Sequence, residues 1–232
     1  MKHHLTQLHI ESFTAEREWT VDEIPVLSAA LSLPRPVDEG RVAGRIRRYY
    51  QLQGRAFLRY CESFLLPAAA AEYRLALEAS RPLPHFHAEL GYYITYNKDG
   101  FFSLYTQSRE PAPGAPPLLQ RRGDTWDLTA GYPVPLQSFF PRGSRWRQRL
   151  WDTAAAEIRR QEAAGVARYH EGWQRLLRRR FDPDHYYLTE NGLSFFYSMY
   201  ALGPAAEGIP VFSLPCGDLF SGLSGQKKTP AP

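Results

Sequence analysis

The spacing of apolar residues in the first third of the chain changes from a strand-like to a helical pattern. Residues 19–33 mix apolar and β-branched positions, which predicts one or two strands. In the next segment, 38–66, apolar residues recur every three or four positions, as they do on one face of an amphipathic helix. We expect Asp38 to suit the N-cap and Pro67 to kink or end the helix, with a further helix to about residue 78.

The middle third alternates apolar and polar positions with a period of two. Residues 90–96 and 101–106 show this alternation, and the Asn-Lys-Asp-Gly sequence between them tolerates the positive φ angles of a tight turn. The pattern predicts an antiparallel hairpin. Two further short strands are expected at 118–122 and 124–128.

The last third returns to helical spacing and ends in aromatic strands. Residues 144–164 predict an amphipathic helix with Ser144 as its N-cap, and a second helix is expected at 168–179. Residues 185–200 read as two strands joined by an Asn-Gly turn, followed by a short strand at 211–214.

Together these elements predict an α+β fold in which an antiparallel sheet of aromatic hairpins packs against two or three helices. The chain has 232 residues, a length that suits one large domain or two small ones. We expect a single domain over 1–219, either undivided or in two lobes, 1–80 and 81–219. The tail at 220–232 has nothing to bury and is expected to fray.

Composition excludes several classes of protein. Hydrophobic residues make up 44% and charged residues 22%, values typical of a soluble globular protein. No apolar run approaches the roughly 18 residues of a membrane-spanning helix, and the N-terminus has no apolar signal-peptide core. The sequence as written shows no export signal and is therefore expected to be cytoplasmic, while the true compartment stays open.

Charge is unevenly distributed, although the formal net charge is only +4. The segment 142–180 holds eleven arginines and four acidic residues. Such a segment suits nucleic acid or another anionic partner, but it also suits the solvated faces of two amphipathic helices.

Candidate catalytic and metal-binding residues are sparse. His85 and His87 have a spacing that places both on one face of a strand, but further ligands are missing, so surface histidines explain them. Asp182, Asp184 and His185 form a polar cluster that turn capping explains as well as catalysis does.

The two cysteines do not form a motif, since Cys61 matches the apolar register of the first helix and Cys216 follows a proline. The sequence contains no nucleophile elbow, P-loop or dinucleotide fingerprint. We predict no enzyme activity, no cofactor and no metal.

Aromatic residues are the compositional anomaly, because they crowd the two predicted hairpins. If helices cover only one face of the sheet, the other face presents tyrosines, which suit partner binding. The candidate partner-binding residues are Tyr92, Tyr93, Tyr96, Tyr105, Tyr197 and Tyr200.

Two blocks resemble the RsiV-like domain family, a family of domains of unassigned function. YYITYNKDGFFSLYTQS (92–108), followed by GDTWDLTAGYPVPLQSFF (123–140), resembles its block of aromatic strand, turn and strand followed by a Trp-Asp-Leu segment. HYYLTENGLSFFYSMYALGPAAEGIPVFSLPCGDL (185–219) is similar to its terminal block.

Members of that family include the extracellular part of the lysozyme-sensing anti-sigma factor RsiV and the region that precedes the catalytic domain of the peptidoglycan deacetylase PdaC. The resemblance implies an envelope-associated, non-catalytic module that recognises a protein, such as a lysozyme, or a cell-wall glycan. Two alternatives stay open from the residues: an envelope-polymer hydrolase that uses Asp182 and His185, and binding of nucleic acid or an anionic partner by the basic segment.

Overall fold

The computed structural model describes residues 5–215, which divide into two compact units. The N-terminal unit comprises residues 5–93, 106–120 and 128–131, and the C-terminal unit comprises 94–105, 121–127 and 132–215. The elements are, in order, β1 (Ile10–Val21), β2 (Ile24–Pro36), α1 (Arg41–Tyr60), a π-helical turn (Cys61–Leu65), α2 (Leu66–Glu78), β3 (Phe86–Lys98), β4 (Phe101–Glu110), β5 (Leu118–Asp127), β6 (Tyr132–Pro133), α3 (Trp146–Ala163), α4 (Trp173–Arg179), β7 (Tyr186–Thr189), β8 (Gly192–Phe196) and β9 (Val211–Pro215).

Two sheets carry these strands, and the α+β class predicted from the sequence is confirmed. One sheet has six strands in the order β1 to β6, and the other has three in the order β7 to β9. The larger sheet is not purely antiparallel, because β2 and β3 pair in parallel. The helical segment between them carries the chain back to the same end of the sheet, as a parallel connection requires.

The N-terminal unit is built on the long β1–β2 hairpin. Asp22 and Glu23 form its turn with φ angles of 51° and 64°, the left-handed values that a tight hairpin turn needs. The predicted strand region at 19–33 therefore covers the end of β1, the turn and most of β2, and the greater part of β1 lies before it. The turn contains neither glycine nor asparagine, so its residue types do not mark the point where the chain reverses.

The predicted helix over 38–66 is present, although its first turn differs from the expectation. The N-cap is Gly40, and the prediction of Asp38 as a cap is wrong. The Asp38 carboxylate instead accepts hydrogen bonds from the backbone N–H (2.7 Å) and ring Nδ1 (2.9 Å) of His9. Asp38 thus ties the segment before β1 to the segment before α1.

A π-helical turn explains how the helix passes Pro67. Leu66 donates its backbone N–H to the Cys61 carbonyl, five residues back, and α2 begins with the proline in its first turn. Proline has no N–H to donate and is tolerated where a helix begins. The wider turn lets a second helix start directly on the first, so Pro67 does not end the helical segment.

A buried carboxylate links α1 to β4 in the N-terminal unit. Glu110 is only 4% exposed, and its oxygens accept hydrogen bonds from the Tyr60 hydroxyl (2.8 Å), the Ser108 hydroxyl (2.8 Å) and the Gln120 amide (2.9 Å). Burial, with Glu110 adding to it, raises the pKa of Tyr60 to about 12. Neighbouring Cys61 is fully buried, as the sequence indicated, and burial raises its pKa to about 11.

The core of the C-terminal unit lies between α3, α4 and one face of the three-stranded sheet. The predicted helix at 144–164 is present as α3 and packs on this sheet, although its N-cap is Arg145 and not Ser144. The core includes, from α3, Leu150, Ala154 and Ile158, and from the sheet, Leu188, Leu193, Phe195, Phe212 and Leu214.

The opposite face of the three-stranded sheet packs against β4 and β5. The Leu188 backbone N–H donates to the Ser103 hydroxyl at 2.8 Å, and the Tyr187 ring lies 5.1 Å from the Tyr105 ring. At Gly123 the strands are so close that an added Cβ would lie 1.9 Å from the Tyr186 carbonyl oxygen. The predicted strand break at this glycine is wrong, because β5 runs through it uninterrupted.

Replacing Tyr60 with phenylalanine tests how much the hydrogen bond from Tyr60 to the buried Glu110 carboxylate contributes to stability. We expect Tyr60→Phe to lower the free energy of unfolding by about 2 kcal/mol at neutral pH, because one donor to Glu110 is lost. The folded pKa of Tyr60 lies above the unfolded value of about 10, so its contribution is complete below that pH. The difference between the two proteins should shrink as the pH rises through about 12. Denaturant unfolding along a pH series measures it, and a pH-independent difference would contradict the assignment.

Replacing Gly123 with alanine tests the close approach of β5 to β7. We expect Gly123→Ala to lower the free energy of unfolding by about 3 kcal/mol, because the methyl group collides with backbone that cannot rotate away. Gly91→Ala is the matched control, since it lies in β3 with nothing within 4 Å of the added Cβ. Urea unfolding of both variants measures the effect, and equal losses would show that the approach imposes no constraint.

Candidate functional site

A cleft of about 440 Å³ opens in the C-terminal unit beside His185, and we call it the His185 cleft. Its volume lies within the range of small-molecule binding sites. Three parts of the chain build it: β5, the last residue of β6 with the residue that follows, and the segment that leads into β7. The lining residues are Arg122, Gly123, Asp124, Thr125, Pro133, Val134, Asp182, Asp184, His185 and Tyr186.

The segment before β7 supplies the polar cluster that the sequence singled out. The Asp184 backbone N–H donates to Asp182 Oδ1 at 2.9 Å, which is the turn that the sequence suggested. The other carboxylate oxygen, Oδ2, lies 3.5 Å from His185 Nε2. Turn formation therefore uses one oxygen of Asp182 and leaves the second beside the imidazole.

His185 is held flat in the wall of the cleft. Its ring stacks on Phe196 with centroids 4.7 Å apart and an angle of 10° between the planes. Its Nδ1 atom is buried and has no hydrogen-bond partner.

Strand β5 contributes two charged residues of opposite sign to the cleft. The Asp124 side chain is 5% exposed and accepts a hydrogen bond from Arg122 Nε at 3.3 Å, whereas the Arg122 side chain is 62% exposed. The buried Asp124 carboxylate thus holds the Nε edge of the Arg122 guanidinium group, while most of the Arg122 side chain is exposed to solvent. The sequence pattern does not single out Arg122 and Asp124 as site residues, because Gly123 between them predicts a break between two strands.

Tyr186 and Val134, the residue that follows β6, close the floor of the cleft. The Tyr186 hydroxyl donates to the Val134 carbonyl, and the Val134 N–H donates to the Thr125 carbonyl at 2.8 Å. Burial raises the pKa of Tyr186 well above its usual range, so the phenol stays protonated at physiological pH. The floor is therefore a fixed, neutral surface.

The six tyrosines proposed for partner binding do not share one environment. Tyr93 is 58% exposed and Tyr200 is 45% exposed, whereas Tyr92, Tyr96 and Tyr105 are half-buried. Tyr197 is completely buried, and its hydroxyl donates to the Leu177 carbonyl at 2.8 Å. The prediction that Tyr197 contacts a partner is wrong, since packing of the terminal hairpin on both faces encloses its ring.

The two histidines of the Pro-His-Phe-His segment form no cluster with other ligands. His85 precedes β3, and His87 binds the Ser28 hydroxyl (2.9 Å) and the Glu89 carboxylate (3.1 Å). Across residues 5–215, no group of three or more histidine, cysteine or acidic side chains is placed to hold a metal ion. Cys216 lies outside the described residues.

The eleven arginines of the basic segment are all exposed, and several are engaged within the C-terminal unit. The guanidinium groups of Arg147, Arg159 and Arg178 lie over tryptophan rings at 4.3 to 5.8 Å, and Arg160 pairs with Glu157. Cation–π stacking on the helices accounts for three of these positive charges without any external partner.

Comparisons with known proteins point to one family. Residues 137–217 match the model of DUF3298, described as a protein family of unknown function. This range contains α3, α4 and the strands of the smaller sheet, with four of the ten residues that line the His185 cleft. A search of the curated proteins finds no match.

Two solved structures of that family resemble the whole chain. A DUF3298 family member from Bacteroides fragilis has a TM-score of 0.68 at 14% identity, with 97% of this chain and 100% of that chain covered. A DUF3298 family protein from Pseudomonas aeruginosa has a TM-score of 0.60 at 16% identity, with 93% and 96% covered. At these identities the likeness shows a shared fold. Within residues 5–215, none of the helices is both long and apolar enough to cross a lipid bilayer.

Replacing Tyr197 with phenylalanine tests whether this ring is structural. We expect Tyr197→Phe to lower the free energy of unfolding by roughly 1.5 kcal/mol, because the buried Leu177 carbonyl loses its donor. Tyr200→Phe is the control, because its ring is 45% exposed, and we expect a change within about 0.5 kcal/mol. Thermal or urea unfolding measures both, and a neutral Tyr197→Phe would mean that the hydroxyl is not needed inside the core.

Proposed function

We propose that the chain is a non-catalytic, RsiV-like recognition module of the cell envelope whose C-terminal unit binds a neutral glycan in the His185 cleft. The observation that carries this proposal is the lining of the cleft, which combines three carboxylates, one guanidinium group and one imidazole in about 440 Å³. Sugar hydroxyls both donate and accept hydrogen bonds, so they match a surface that offers both types of group.

Charge supports a neutral ligand over an anionic one. Asp124, Asp182 and Asp184 outnumber the single Arg122 in the lining, so an anion would be repelled. Arg122 offers donors at the rim, while Asp182 Oδ2 offers an acceptor next to His185. Pro133 and Val134 add an apolar surface on which the carbon face of a sugar can rest.

The rigidity of the cleft also supports a binding role. The His185 ring is stacked on Phe196, Asp182 is fixed by its hydrogen bond from the Asp184 backbone, and Asp124 is buried. Groups that are already held in place lose little conformational entropy when a ligand binds. A neutral sugar would therefore meet a preorganised surface.

A protein partner, such as a lysozyme, is the other ligand that the family resemblance suggests. The exposed rings of Tyr93 and Tyr200 support it, because tyrosine buries a large area at low entropic cost. A partner that uses these rings would not depend on the carboxylates of the cleft, so the same variants separate the two ligands.

A hydrolase that acts on envelope polymers is the second candidate function. The supporting observation is the 3.5 Å distance between Asp182 Oδ2 and His185 Nε2 inside a cleft, which is an arrangement suited to proton transfer. In this case the chain would cleave the glycan that it binds, and substituting His185 would stop cleavage.

Titration of the full chain with a neutral oligomer of N-acetylglucosamine tests the proposed function. We expect saturable binding, and Asp182→Asn should weaken it by roughly tenfold or more, because a charged acceptor is lost. Asparagine retains the oxygen that accepts the Asp184 N–H, so the turn is preserved. Glu162→Gln is the matched control, an exposed carboxylate on α3 outside the cleft.

Calorimetry with the oligomer and with a C-type lysozyme distinguishes the outcomes. Absence of oligomer binding, or equal affinity in Asp182→Asn, would contradict the glycan proposal, and lysozyme binding unaffected by that variant would favour a protein partner. Chromatography of the incubated oligomer covers the second candidate. Shortened products that disappear in His185→Gln would replace a binding module with a hydrolase.

A further inference from the structure

A second cavity, of about 620 Å³, lies immediately before α3 in the C-terminal unit, and we call it the Trp146 pocket. It shares no lining residue with the His185 cleft. Its walls come from the segment between residue 137 and the first residue of α3. The side chains that matter here are Gln137, Ser138, Phe140, Arg142, Ser144 and Trp146.

One wall of the Trp146 pocket is a supported aromatic surface. The Trp146 indole is half-buried and stacks on the buried Phe140 ring, with centroids 5.7 Å apart and planes 23° apart. Phe181 lies 6.2 Å from the same indole, and the Arg147 guanidinium lies over the ring at 4.3 Å. The indole is thus held in place before any ligand arrives, which reduces the entropic cost of binding.

The charge of the Trp146 pocket is opposite to that of the His185 cleft. Arg142 is the one charged residue in its lining, and no carboxylate lines it. Among the described residues, the Arg142 guanidinium forms no ion pair or hydrogen bond, and it is exposed. A carboxylate or similar anion would meet no acidic group in this pocket.

Three neutral polar side chains complete the pocket. Gln137, Ser138 and Ser144 are exposed, and within residues 5–215 their side chains have no hydrogen-bond partner. Their backbones, by contrast, are fixed in turns, for example by the Ser144 N–H that donates to the Pro141 carbonyl at 3.1 Å. The amide and the two hydroxyl groups therefore extend from fixed backbone positions, and they can form hydrogen bonds with a ligand.

We infer that the Trp146 pocket binds a sugar acid, a monosaccharide unit that carries a carboxylate. The carbon skeleton of the sugar packs against the part of the Trp146 indole that lines the pocket and that Phe140 and Arg147 leave uncovered, and the carboxylate pairs with Arg142. The sugar hydroxyls bond to Gln137, Ser138 and Ser144. A bare anion would leave the indole unused, and an aromatic acid would leave the three polar side chains unused. The inference does not depend on the proposed function, because the two cavities are lined by different residues.

Titration of the full chain with glucuronic acid and with glucose tests the inference, since the two sugars differ at one carbon, which bears a carboxylate in the acid. The measurement is made in the Asp182→Asn variant, in which binding to the His185 cleft is expected to be weakened, and is repeated in the unmodified chain. We expect saturable binding of glucuronic acid in both proteins, and at least roughly tenfold weaker binding of glucose.

Arg142→Gln should weaken the binding of glucuronic acid by roughly tenfold or more, because the ion pair is lost. Arg175→Gln is the matched control, an exposed arginine on α4 that does not line the pocket, and it should bind as the parent does. Ser144→Ala, another change at an exposed position, should weaken binding by a smaller factor without loss of fold.

The inference would be overturned if glucuronic acid showed no saturable binding, if glucose bound with equal affinity, if the Arg142→Gln variant bound as the parent does, or if benzoate bound as tightly as glucuronic acid. If glucuronic acid binds only when Asp182 is intact, the ligand occupies the His185 cleft, and the Trp146 pocket is not its site. Failure of the neutral oligomer to bind would leave the result for glucuronic acid unaffected.

Discussion

The close approach of β5 to β7 is the constraint on which the C-terminal unit depends. With no side chain at Gly123, the strand can lie against the Tyr186 carbonyl, where an added Cβ would be only 1.9 Å from that oxygen. The Ser103 hydroxyl then reaches the Leu188 N–H. Together these contacts place two sheet segments face to face, so that the smaller sheet is covered by strands on one side and by α3 and α4 on the other. A hairpin with both faces covered has no free aromatic surface, which is why Tyr197 is interior.

The C-terminal unit also holds two cavities whose linings differ in charge, and only the His185 cleft includes residues of the β5–β7 approach. Arg122 and Asp124 flank Gly123 and face the segment that carries Asp182 and His185, which gives an acidic cleft with fixed walls. The loop before α3 has no acidic residue and gathers Arg142 beside an aromatic wall. The His185 cleft is lined mainly by carboxylates, whereas the Trp146 pocket is lined by one arginine and no carboxylate. If both cavities bind ligands as proposed, this difference favours two different ligands, or two chemically different parts of one glycan, over the same ligand in both cavities.

Sequence patterns predicted the elements that local spacing determines. The helix at 144–164 and the turn at Asp99 and Gly100 follow from residues close together in the chain, and both are present. The pattern could not reveal pairings between distant residues, such as Ser103 with Leu188, 85 positions apart. The candidate site divides in the same way. Asp182 and His185 stand out as a local cluster, whereas Arg122 and Asp124 join them only through folding, because a glycine that permits close packing looks like one that interrupts a strand.

The π-helical turn at Cys61–Leu65 contains one residue more than an α-helical turn would at this place in the helical segment. Deleting a residue there would restore ordinary α-helical spacing, but it would also bring the Pro67 ring against a carbonyl of the preceding turn. The extra residue and the proline are therefore expected to be gained and lost together during evolution. A homologue that lacks one should lack the other, and its α2 should continue the axis of α1 with side chains rotated by about 100° relative to this chain.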